Sequence, residues 1–253
     1  MIKFAVITMF PEIFSIVKKI GIIRKAIKNN IVNIYIFDLK KYSDNKRVDD
    51  KPYGGGYGMI IKPVPLKKTI DAAKKKIGKT SKVIYLTPQG IKINNNIIKY
   101  FSKSNKNIIF ICGRYKGIDE RIILNEVNYE ISIGDYILSG GEIPSILIMD
   151  SIIRLIPGVL NSESSYKNDS FYKKIFDFPN YTRPRIFNNI EVPKVLLSGN
   201  HYEINKWRLK QSLGKMWLNR PELINKSKLD KNEIKLLEEF KDELLKDNKN
   251  VKK

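Results

Sequence analysis

The sequence predicts an α/β domain, a parallel sheet with helices on both faces, followed by a small, mainly helical C-terminal domain. Three observations predict it. Short apolar runs of strand type alternate with helical patterns from residue 2 to about residue 157. Glycine-bearing stretches follow three of those runs, and beyond Gly158 the texture turns polar, then proline-punctuated, then helical. The domains are placed at residues 1–160 and 177–253, with residues 161–176 as a linker.

The first run, residues 2–7 (IKFAVI), precedes Pro11-Glu12 and a helical pattern through Ile13, Ile16, Val17, Ile20 and Ile23. Residues 31–37 (IVNIYIF) form the second strand candidate. The connection from Lys40 to Lys62 is long for an α/β loop and carries Gly54, Gly55, Gly56 and Gly58 after a run of mixed charge. It reads as a lid or substrate loop in which Pro52, Tyr53 and Tyr57 pack rather than wander. Strands then follow at 82–86, 108–112 and 129–133, separated by helical patterns near 64–77, 94–103 and 118–127.

Ile131 to Pro157 organises the rest. A short strand stops at Gly134-Asp135, a loop with Gly140 and Gly141 follows, and Pro144 opens an apolar helix that ends at Pro157-Gly158. Adjacent glycines let backbone approach backbone or ligand. That suits a site built from main-chain groups, and it equally suits an ordinary strand-to-helix turn. Past the linker NSESSYKNDS, residues 201–212 and 231–248 are the clearest helices. The first sets Trp207 among Lys206, Arg208 and Lys210, which suits an RNA surface and also a solvated charged face.

Lys and Arg number 47 against 26 Asp and Glu, a formal charge of +21. A polyanion such as nucleic acid is the obvious partner, although a chain this rich in Ile and Asn also gains Lys from compositional bias. No apolar run is long enough to span a membrane, and the N-terminus lacks a signal-peptide layout. A single cysteine, Cys112, excludes an internal disulfide and fits a reducing cytoplasm. With one histidine beside it, soft ligands are too few for a structural zinc site, and no metal ligand is assigned.

Gly78-Lys79-Thr80 fails as a phosphate loop because Ala73 stands where its first glycine belongs. No G-x-G-x-x-G follows a strand, and His201 has no G-x-S-x-G partner. What remains is TPQG (87–90), CGRYKGIDER (112–121) and the loop after residue 133, each at a strand's carboxyl end, where open parallel sheets bind ligands.

In order, VDDKPYGGGYGM, YLTPQG, CGRYKGIDER, SIGDYILSGGEIPS, RLIPGVL, DSF, PNYTRP, VPKVLLSGNH and WRLKQSLGKMW resemble the bacterial tRNA (guanine-N1)-methyltransferases of the SPOUT class. The resemblance covers nearly the whole chain apart from the C-terminal tail. It implies an S-adenosylmethionine-dependent enzyme with a deep trefoil knot in its α/β domain, and a homodimer with its active sites at the subunit interface. The implied substrate is the guanine just 3′ of the anticodon in the tRNA anticodon stem-loop, whose N1 is methylated to maintain the reading frame. Magnesium dependence is implied as well.

Cofactor contacts carry over to Tyr85, Leu86, Gly113, Ile133, Gly134, Asp135, Tyr136, Ile137, Leu138, Gly140, Gly141 and Pro144. Asp169, in the linker, carries over as catalytic base with Arg154 as its electrostatic partner. Substrate contacts fall on Asp50, Gly55, Tyr115, Ser170, Arg183 and Arg185, with Lys206, Arg208 and Lys210 on the 201–212 helix. The chemistry suits the pair: guanine N1 must lose its proton to become nucleophilic, and a guanidinium stabilises the charge left on O6. The sequence departs from the family in two places. Lys116 stands where the family's GRYEG has Glu, and Tyr57 replaces a residue that is commonly smaller or proline. A methyltransferase of the same class acting on another RNA, or a basic RNA-binding protein with a decayed cofactor site, remain as alternatives.

Overall fold

A computed structural model describes residues 1–104, 106–160, 170–171 and 175–250. The chain divides into two compact units, Met1–Glu163 and Ser164–Lys253.

The first unit begins with β1 (Ile2–Thr8), α1 (Glu12–Val17), α2 (Gly21–Lys28) and β2 (Val32–Asp38). Two-residue strands β3 (Asp49–Asp50) and β4 (Ile60–Ile61) then pair antiparallel, closing the base of the glycine-rich excursion. There follow α3 (Pro63–Ile77), β5 (Lys82–Lys92), α4 (Asn95–Lys103), β6 (Ile108–Ile111), α5 (Glu120–Glu126), β7 (Tyr129–Ser132) and α6 (Glu142–Ile153). The five long strands form one parallel sheet in the order β2-β1-β6-β5-β7.

Alternation along the strands explains why both faces are covered. Phe4, Val6, Ile84, Ile108 and Phe110 point into the core shared with α1, α2, α4 and α6. Their neighbours Ala5, Ile7, Val83, Ile109 and Ile111 point into the core shared with α3 and α5. Local signals fix the helix starts. Asn94 accepts from the backbone N–H of Asn96 and Ile97 at 3.0 and 3.1 Å, Asp119 caps α5 through Arg121, and Pro63 opens α3. Helix α6 begins two residues before Pro144; Ile148, Met149, Ile152 and Ile153 are fully buried.

Two expectations change here. Residues 87–90 are not a terminal loop but an irregularity inside β5, which resumes pairing with β7 at Ile91 and Lys92. The expected packing of the excursion's tyrosines fails, since Tyr53 is 100% and Tyr57 95% exposed. Gly54, Gly55, Gly56 and Gly58 all have positive φ, so the backbone turns on itself and throws both rings outward.

In the second unit, a hairpin pairs β8 (Ile186–Phe187) with β9 (Ile190–Glu191), and Asn188-Asn189, both with positive φ, make its tight turn. Helices α7 (His201–Asn219), α8 (Pro221–Ser227) and α9 (Lys231–Asn250) follow. Leu213, Leu236 and Leu237 form their small core with Leu209 and Trp217 against it, while Gly214 lets the Phe240 ring lie on the α7 backbone. Among the described residues no helix is long and apolar enough to cross a membrane.

Candidate active site

Three backbone-rich segments, one at the irregularity within β5 and two beyond the carboxyl ends of β6 and β7, line a cavity of about 560 Å³. From β5 come Tyr85 to Gln89, from the loop after β6 Gly113 to Ile118, and from the loop after β7 the stretch Ser132 to Gly141 without Asp135, with Pro144 on α6. The last two segments are stitched together: Gly141 N–H donates to Gly113 C=O at 3.0 Å, and Arg114 bridges antiparallel to Gly140. A Cβ on Gly141 would stand 2.7 Å from the Cys112 Cα, so this crossing admits only glycine. A Cβ on Gly113 would stand 2.8 Å from the Tyr85 ring.

Sequence reasoning named twelve donor-site residues, and the structure gathers all but Asp135 around this one cavity. Asp135 does not line it: its carboxylate pairs with the Lys92 ammonium at 3.0 Å and is 86% exposed. Its neighbours Tyr136, Ile137 and Leu138 line the cavity and are themselves exposed. Burial pushes the Tyr85 hydroxyl above its usual range, so this side chain is neutral. Burial raises the Cys112 thiol strongly as well, so it too is neutral.

Two functional candidates escaped the sequence. Glu142, only 2% exposed, opens α6 and accepts from Thr8 Oγ1 at 2.8 Å. Arg114 Nε stands 3.3 Å from Glu142 Oε2, and its guanidinium lies over the Phe10 ring at 4.3 Å. That N–H is near the carboxylate but makes no hydrogen bond, so the contact is an ion pair of proximity rather than of aimed donors. Glu142 after Gly-Gly reads in sequence only as an acidic first turn, and nothing local shows that it is buried.

Of the substrate candidates, Tyr115 lines the cavity with φ of 58°. Asp50, on β3, has its carboxylate 4.0 Å from Arg47, and Gly55 sits on the excursion. The excursion's return leg runs along the loop after β6: Lys116 N–H donates to Met59 C=O at 3.0 Å, and Ile61 N–H to Gly117 C=O at 3.0 Å. Arg154 caps the far end of α6, its N–H donating to Asp150 C=O at 3.1 Å. Burial raises Asp150, and Arg154 acts against that rise. Arg154 is not among the cavity's residues. Asp169 lies outside the described residues.

In the second unit, Ser170 Oγ accepts from Asp177 N–H at 2.8 Å. Arg183, Arg185 and Arg208 line a separate cleft, and Lys206 is exposed on α7. The Lys210 ammonium pairs with Glu243 on α9 at 2.6 Å and is largely covered.

The sequence matches the family described as "tRNA (Guanine-1)-methyltransferase TrmD" over residues 2–226. It is 48% identical over 237 residues to the tRNA (guanine-N(1)-)-methyltransferase of Buchnera aphidicola subsp. Baizongia pistaciae, covering 92% of this chain and 94% of that protein. The same figure, 48%, holds over 240 residues for the protein of that name from Escherichia coli O127:H6, covering 94% of each. Among solved structures, the tRNA (m1G37) methyltransferase of Aquifex aeolicus superposes with a TM-score of 0.73 at 39% identity, covering 91% of this chain and 99% of that one.

Proposed function

This chain belongs to the tRNA (guanine-N1)-methyltransferase family, and from that premise we propose how its residues carry the reaction. It transfers a methyl group from S-adenosylmethionine to N1 of a guanine in tRNA. The guanine is the one just 3′ of the anticodon, and its methylation maintains the reading frame. The observation that carries the residue assignments is the cavity where three backbone-rich segments converge.

That cavity fits the methyl donor. Gly113 and Gly141 let the segments pack where any side chain would intrude, and Tyr85 is uncharged. Leu86, Ile133, Gly134, Tyr136, Ile137, Leu138, Gly140 and Pro144 complete the proposed cradle. When bound there, the donor supplies an electrophilic methyl group on a sulfonium. The close crossing of Gly141 over Cys112 supports the deep trefoil knot for this part of the chain.

Asp169 takes the N1 proton of the flipped guanine, and Arg154 stabilises the charge that develops on O6. A helix rises about 1.5 Å per residue, which sets Arg154 about 15 Å from Pro144 along α6. An arginine side chain does not cover that distance, so Arg154 serves the cavity of a second copy rather than its own. Ile143 and Leu147, one turn apart on α6 and 60% and 42% exposed, offer the apolar stripe for such a homodimer. Asp50, Gly55, Tyr115 and Ser170 bound the guanine, and the second unit anchors the tRNA through Arg183, Arg185, Lys206 and Arg208.

Among the described residues no group of three or more His, Cys, Asp or Glu stands close enough to form an all-protein metal site. Magnesium would therefore be held by one or two carboxylates together with substrate oxygens, and on the cavity wall Glu120 brings a carboxylate and Lys116 a cation. Asp169→Ala, incubated with labelled donor and tRNA, is expected to lose about 100-fold or more in methylation rate. Near wild-type turnover would remove Asp169 as the base, and mapping the methylated nucleotide checks the target position.

A further inference from the structure

The second unit holds its own cleft of about 540 Å³, within the range of sites that take a small ligand. Residues Phe178 to Arg185 form one wall, the turn Lys194–Leu197 contributes Leu196 and Leu197, and α7 contributes Ile204 and Arg208. None of the lining residues is acidic. The nearby carboxylate of Asp177 is already engaged, accepting from Phe178 N–H at 2.9 Å and from Asn180 Nδ2 at 3.4 Å.

Arg208 is the telling residue. Its guanidinium lies over the Phe178 ring at 4.5 Å, which fixes its plane. Its Nε is buried and has no hydrogen-bond partner among the described residues. A buried donor left unmet is unfavourable, so this N–H is poised to donate to an acceptor brought to it. Tyr181, half exposed, is braced by Trp207 with ring centres 6.3 Å apart and presents a face for stacking. Arg183 and Arg185, both exposed, add charge on the same wall. Guanidinium donors beside a free aromatic face match the phosphate and base of an unpaired nucleotide.

We propose that this cleft binds one unpaired nucleotide of the tRNA, distinct from the methylated guanine, stacking its base on Tyr181 and holding its phosphate with Arg208, Arg183 and Arg185. The inference rests on tRNA being the substrate, and its test does not depend on methyl transfer. Full-length wild type, Tyr181→Ala and Arg208→Gln are titrated with unmodified tRNA transcript at several salt concentrations, and donor affinity is measured separately by calorimetry.

Tyr181→Ala is expected to weaken tRNA binding about tenfold with an unchanged salt dependence, because stacking is not ionic. Arg208→Gln is expected to weaken it by a similar factor and to lower the slope of log affinity against log salt by about one. Donor affinity should stay within about twofold, since the cleft and the donor cavity belong to different units. Where a melting curve shows Arg208→Gln unfolding the second unit, Arg208→Lys keeps the charge and removes the planar stack. It should then bind more weakly with its salt slope intact. Wild-type tRNA affinity in Tyr181→Ala and in the folded arginine variant overturns the proposal. Failure of the wild-type protein itself to bind tRNA would overturn the tRNA reading on which the proposal rests.

Discussion

Two glycine-rich loops of the first unit put the same residue to opposite uses. In the loop after β7, Gly140 and Gly141 draw backbone against backbone, and Gly141 lies on Cys112 with no room for a methyl group. In the excursion between β3 and β4, Gly54, Gly55 and Gly56 have nothing near them, and their positive φ values carry two tyrosines into solvent. One loop gains rigidity; the other gains reach. The first suits a small donor held in a preformed cradle, and the second suits a large RNA that arrives from outside.

The sharpest way to break that contrast is one substitution in each loop. Gly141→Ala is expected to abolish donor binding in calorimetry and to cost about 1–3 kcal/mol of stability in denaturant titration, because backbone at 2.7 Å does not yield as a side chain does. In the excursion, Tyr57→Ala should leave donor affinity unchanged and lower turnover on tRNA about tenfold, as loss of a stacking ring would. Equal donor affinity in Gly141→Ala and Tyr57→Ala would erase the distinction.

Smaller effects sharpen it. Asp119 ties the loop after β6 to the excursion's return leg: its N–H donates to Ile61 C=O at 3.2 Å, its carboxylate caps α5 and pairs twice with Arg121 at 2.8 Å. Asp119→Ala should cost about 1 kcal/mol, measured by thermal melting. Arg121 lowers the carboxyl's pKa below the ordinary 3.8. This contribution is therefore present above that value and shrinks as pH falls through the depressed pKa, so the melting gap should narrow in acid. Least of all, a thiol reagent should leave native Cys112 untouched and label it only on unfolding, since the thiol is buried and its pKa raised.

The sheet was legible because its strands are uninterrupted apolar runs buried on both faces, a pattern that only tertiary burial produces. Less legible was whatever depends on a distant partner. Strand β5 runs on past Pro88 and Gly90 because β7 accepts it again at Ile131, a pairing that no local residue announces. The two-residue strands at Asp49 and Ile60 are too short for any periodicity, and α8 was lost between two stronger helices. At the site, glycine spacing and the resemblance located the cavity's wall, yet the Thr8–Glu142–Arg114 contacts join residues far apart in sequence and left no trace there. The ion pair of Lys210 was hidden for the same reason, since Glu243 lies 33 residues away.

The most direct test of the donor cradle is amide hydrogen exchange with and without S-adenosylmethionine. If main chain from three segments holds the donor, protection should rise at residues 86–90, 113–117 and 133–141, while residues 51–59 exchange as before. Protection confined to the excursion or to the second unit, with those three segments unchanged, would contradict it.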